Sequence, residues 1–170
     1  RHSGDRGCKF VIGVANDQSI HAFQTSLGFE SLGRVRLHVN SYDASEGDHD
    51  SLKLLMSGDW LTWRASAPAG EYWLSQCKGQ YYLNTFKGKL RIVLGSVPKD
   101  SVSQSQLEIR KSNSPLFLVP AFPASSASLK VPEKLMPSPW NVIFKALDPN
   151  ADLARLSSAV KVDGIAMDTF

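Results

Sequence analysis

Hydrophobic positions along this chain follow two periods, and the change from one to the other marks out the elements. Residues 8–15, CKFVIGVA, carry apolar side chains on both alternating sets. That is the pattern of a strand covered on both faces, typical of parallel pairing in an α/β sheet. Within residues 16–27, Ile20, Phe23 and Leu27 recur at three and four residues, and Gly28 follows where a helix would stop, so a helix is expected there. Residues 32–39 set Leu32, Val35, Leu37 and Val39 against Arg34, Arg36 and His38, which predicts a strand with its basic side in water. Leu52, Leu55, Met56, Trp60 and Trp63 then trace a helical stripe, with a break near Gly58 and a fresh N-cap at Asp59.

The second half reads mainly as strands. Runs at 72–76, 80–86 and 89–97 are separated by Lys78-Gly79 and Lys87-Gly88, which predicts an antiparallel meander with tight turns. A short helix is expected around 104–110, a strand at 116–122, a last strong strand at 140–147 and a helical turn at 152–157. Five prolines between 120 and 139 make the stretch between those last strands irregular. The expected fold is α/β (α+β): a mixed, partly antiparallel sheet of six or seven strands with few helices. Residues 1–40 form one unit, the polar run 41–50 a linker, and 51–170 a second unit that packs with the first as one composite body. The strand at 9–15 is too apolar to be a bare edge. Its cover is expected from 116–122 or 140–147, with a homodimer through this region as the alternative.

Composition narrows the function classes. No stretch reaches the roughly 20 apolar residues that cross a bilayer, so no membrane partner is expected. The N-terminal RHSGDRG is polar and reads as no signal peptide, and the lack of an initiator Met suggests that upstream sequence is missing. The net charge of +3 is spread out, its densest group being Lys87, Lys89 and Arg91, which reads as solvated surface and not as a nucleic-acid stripe. Two cysteines, Cys8 and Cys77, make no disulfide framework and read as buried, reduced thiols of a cytoplasmic protein. The acidic run Asp43, Glu46, Asp48, His49 and Asp50 reads as a solvated loop, and no metal site is assigned.

One segment carries chemistry. In GCKFVIGVANDQSIHAFQTSLGFESLGRV, Asn16 follows an apolar strand, then come Ser19, Phe23 and Gly28-Phe29, with Leu32-Gly33 opening the next strand. Residues 7–39 thereby resemble the strand, helix and strand that close a GNAT-type acetyltransferase domain. The resemblance implies that Asn16, Ser19 and Phe23 lie on the acetyl-CoA side of the helix. The family's glycine-rich pyrophosphate loop would fall upstream of Arg1, and the nearest imitation, Arg1 to Arg6, ends in Arg where Gly or Ala is required. Where the family places a Tyr general acid this chain has Phe23, which cannot protonate a thiolate, so no catalytic residue is assigned. From residue 51 on, Trp63, Arg64, Pro68 and Tyr72, with the later SPWNVIF, resemble a degenerate second GNAT-like unit. Trp63, Arg64 and Tyr72 are its candidate ligand-cleft residues; the favoured alternative is that both tryptophans are core with the Arg64 stem packed over them. The expectation is an incomplete or non-catalytic acetyltransferase-like protein with no cofactor of its own. Acetyl-CoA would enter if an N-terminal half is present. The alternative is a small-molecule or protein-binding module on the same scaffold.

Overall fold

A computed structural model describes residues 8–39, 57–66, 70–111, 116–122, 129–136, 140–148, 150 and 153–164. The strands are β1 (Phe10–Asn16), β2 (Glu30–Arg34), β3 (Arg36–Val39), β4 (Tyr72–Cys77), β5 (Gln80–Lys87), β6 (Leu90–Val97), β7 (Phe117–Phe122), β8 (Trp140–Ala146) and β9 (Val162–Asp163). The helices are α1 (Ile20–Leu27), α2 (Gly58–Ala65), α3 (Lys99–Gln104) and α4 (Leu153–Ala159). The mixed, mostly antiparallel α+β architecture with few helices is present, its strands divided between two sheets. One has the order β1-β8-β2; the other runs β3-β7-β6-β5-β4, with β9 also on β7. No helix among the described residues is long and apolar enough to cross a membrane.

The larger sheet is built from the expected meander. Lys78 and Gly79 both take positive φ, 47° and 81°, which is the backbone that a tight β4–β5 turn with the right-handed strand twist requires. The next turn is formed by Gly88 and Lys89, one residue later than the pattern suggests, with Gly88 at φ 61°. On one face Leu61, Tyr72, Leu74, Leu83, Ile92, Leu94 and Val97 form a core. Each leucine or isoleucine buried there contributes about 1.5–3 kcal/mol. α2 and α3 join this core through Leu61 and Val102. Ser57 starts α2, its hydroxyl accepting the Trp60 amide, so the cap falls two residues before the expected Asp59.

Two expectations for this region are corrected. The short helix is Lys99–Gln104 instead of 104–110, because Pro98 presets its entry and residues 108–110 are drawn onto β4. There the Leu74 amide donates to Glu108 O at 2.9 Å and the Arg110 amide to Leu74 O at 2.8 Å. Arg110 fastens this segment by hydrogen bonds to Glu71 and, at 2.7 Å, Glu108, and these two bonds raise its pKa above the ordinary guanidinium value. The cysteines are free, but neither is buried: Cys8 is exposed and Cys77 half-buried, since both lie at the ends of strands where cover runs out.

The smaller sheet joins the two ends of the chain. β8 pairs antiparallel with β1, Phe10 opposite Ala146 and Asn16 opposite Trp140, and on its other side with β2. β1 and β2 therefore run parallel with β8 between them. Residues 140–146 supply one neighbour, in antiparallel pairing, but the expectation that β1 is no edge is corrected: among the described residues β1 has this partner on one flank only, and Phe10 to Val14 are half-buried instead of covered on both faces. At Val35 the chain leaves this sheet for the larger one, its amide still bonded to Trp140 O at 2.9 Å. Close by, Gly33 has φ 142°, and a Cβ there would stand 2.8 Å from the Phe122 ring, so only glycine allows β2 to approach β7 this closely. Val35, Leu37, Trp140, Val142 and Phe144 form the core under this crossover. His38, expected in water, is buried at 1% exposure. β3 lies between β7 and residues 129–131, which bond it along its other edge. The linker 41–50, the helical positions 52–56 and Pro68 lie outside the described residues.

Candidate functional site

The first group of candidate residues sits where β1 runs into α1. The chain must turn sharply after Asn16, and the Asn16 side chain makes that turn: its Oδ1 accepts the Gln18 amide at 3.1 Å, the Ser19 amide at 2.9 Å and the Ser19 hydroxyl at 2.9 Å. This is an Asx turn, which Asn forms readily. It engages the amides of Gln18 and Ser19, which precede α1, and no side chain caps the helix itself. One turn further on, the Phe23 ring meets Phe29 edge-on at 5.4 Å, and Gly28, at φ 65°, lets the Phe29 amide bond back to Phe23 O at 3.0 Å. Asn16, Ser19 and Phe23 thus lie along one short stretch. Asn16 and Ser19 bond to each other, and Phe23 packs.

The second group is only partly assembled. Arg64 is 3% exposed and its guanidinium lies 5.3 Å above the Tyr72 ring, a cation–π pair between α2 and the start of β4. Trp63 is 61% exposed, 6.3 Å from the half-buried Trp60. Adjacent residues on a helix point about 100° apart, so Trp63 turns outward as Arg64 turns inward. The trio is not brought together, and the reading of both tryptophans as core under the Arg64 stem is corrected.

Two further clusters are not singled out by the sequence. Arg91, placed in the solvated basic group, is 2% exposed in the middle of the larger sheet. Its Nε donates to Asn84 Oδ1 at 2.9 Å and its Nη2 to Ser75 Oγ at 3.0 Å, while Asn84 Nδ2 donates to Ser75 Oγ at 3.0 Å and to Tyr82 O at 2.7 Å. The guanidinium also stands 5.2 Å from the Phe117 ring. β6 has strands on both sides and cover on both faces, so an alternating position that looks solvent-facing in sequence is inside. The available signal is Arg91 interrupting the apolar run of residues 90–94. Within this network the groups satisfy one another, tying β4, β5 and β6 into one register.

The other cluster lies at the crossover between sheets. Arg34 and Arg36 flank Val35, and both face Glu133 on the 3-10 turn Glu133–Leu135. With Val35, Lys134 and Met136 they line a cleft of about 280 Å³. Arg34 also reaches Asp17 at 3.6 Å, and Asp17 accepts Asn141 Nδ2 at 2.8 Å. No family model, no curated protein and no solved structure matches the chain.

Proposed function

We propose that this chain is an acetyltransferase-like protein that does not itself transfer acetyl groups, and that its strand–helix–strand unit serves as scaffold. The observation that carries the reading is the entry to α1. Asn16 Oδ1 takes the Gln18 and Ser19 amides, and Phe23 supplies a ring contact to Phe29. An acetyl-CoA site needs amides aimed at a pyrophosphate and an acid beside the departing thiolate. Phe23 supplies no acid, and the Asn16 side chain is engaged by Gln18 and Ser19, so no acetyl-transfer step runs through these residues. The free thiols of Cys8 and Cys77 suit a reducing compartment, and we place the protein in the cytoplasm. The outer flank of β1 is where a second copy would pair if the chain forms a homodimer.

The test is calorimetric titration with acetyl-CoA together with a coenzyme A release assay over a panel of amines, using wild type and Phe23→Tyr. No saturable binding and no release from either protein is expected. Micromolar binding, or release that Asn16→Ala abolishes, would overturn the proposal. A second reading, a binding module, rests on the exposed Trp63 beside Trp60. It predicts a ligand-induced change in tryptophan fluorescence, and a response that survives Trp63→Ala would remove Trp63 from that site.

A further inference from the structure

We infer that the cleft at the sheet crossover is a phosphate-binding site held closed by Glu133 as an internal substitute for the ligand. Its construction starts from the backbone. Val35 is buried, so as β2 passes into β3 its two neighbours, Arg34 and Arg36, are both left on the outside of the crossover. Their guanidinium groups converge on one carboxylate: Arg36 Nη1 bonds Glu133 Oε1, and Arg34 Nη1 lies 3.9 Å from Glu133 Oε2. Two guanidinium groups beside one oxyanion, one bonded to it and one within ion-pair distance, can recognise phosphate as well as carboxylate.

The charges favour the phosphate. Arg34, Arg36 and Lys134 bring three cations to the cleft, and Asp17 at its rim, 3.6 Å from Arg34, offsets one. Glu133 supplies a single negative charge, whereas a phosphate dianion would match the two that remain. The resident carboxylate can leave. Its side chain is 52% exposed, and exposed ion pairs of this kind hold weakly. The size sets the ligand class. Pockets for drug-sized ligands run roughly 300–1,000 Å³, and a cleft of about 280 Å³ has room for a phosphate with a small ester group. Met136 and Val35 supply the apolar wall against which such a group would lie.

The experiment titrates inorganic phosphate, then glycerol phosphate, into the full chain at constant ionic strength, following the arginine Nε–Hε signals by NMR. Saturable shifts at Arg34 and Arg36 are expected, with affinity tightened about tenfold in Glu133→Gln, because the internal competitor loses its charge. Arg36→Gln in the Glu133→Gln background should abolish them. If that double variant fails to fold, the comparison of wild type with Glu133→Gln still decides. Equal affinity in those two proteins, or shifts that sodium chloride reproduces, would overturn the inference. Preference for glycerol phosphate over the free ion would assign the site to phosphate esters, and the reverse to the ion itself.

Discussion

The two sheets are held together in different ways. In the larger one, β4, β5 and β6 are consecutive, joined by two-residue turns, and Leu74, Leu83 and Leu94 at their centre are fully buried. In the smaller one, β8 arrives from the far end of the chain to stand between β1 and β2. There β1 is half-buried from Phe10 to Val14, buried at Ala15 and exposed at Asn16, and α1 has no buried residue at all. Loop-closure entropy rises slowly with length, so joining distant segments is not itself prohibitive. What differs is the burial that repays the ordering of the chain. Residues 10–34, whose pattern is easy to recognise, are thus thinly packed.

The contrast can be broken most decisively by amide hydrogen exchange. The β5 amides around Leu83 to Thr85 should exchange only with global unfolding, and the β1 amides that point away from β8 orders of magnitude faster. Equal protection in both would mean that the smaller sheet is not the weaker. Next in size, Leu83→Ala should lower stability by about 2–5 kcal/mol in urea denaturation, because it opens a cavity where the side chain is 0% exposed. Asn84→Ala should cost about 1–3 kcal/mol by removing the acceptor of Arg91 Nε. A double-mutant cycle with Arg91→Met checks it: strictly additive losses would show that the network is not coupled. At the small end, Leu27→Gln in α1 should change stability by no more than about 0.5 kcal/mol, since Leu27 is 51% exposed. A loss as large as that of Leu83→Ala would point to a cover over α1.

The meander is legible in the sequence because its signals are local. Gly79 and Gly88 take positive-φ backbone that few other residues adopt, and the runs between them alternate cleanly. The stop at Gly28 is legible for the same reason, whereas the helix expected from residue 16 begins only at Ile20, after the turn that Asn16 makes. The candidate sites are less so. Trp63, Arg64 and Tyr72 look like one lining in sequence, yet only Arg64 and Tyr72 meet. Arg34 and Arg36 read as one side of a strand, and nothing local pairs them with Glu133, almost a hundred residues on.

The sequence by itself determined the tight turns of the meander and the start of α2 to within a residue or two, because each depends on the φ, ψ and side-chain chemistry of a few neighbouring residues. Tertiary structure alone decided which strand lies beside which, and what covers each face. Alternation tells which side chains share a face of a strand; it does not say whether that face meets water. That is why His38 and Arg91, both solvated by their sequence pattern, are inside. It is also why residues 108–110, helical by their pattern, are the extended partner of Leu74: the open edge of β4 offers hydrogen bonds that a helix there would leave unmade.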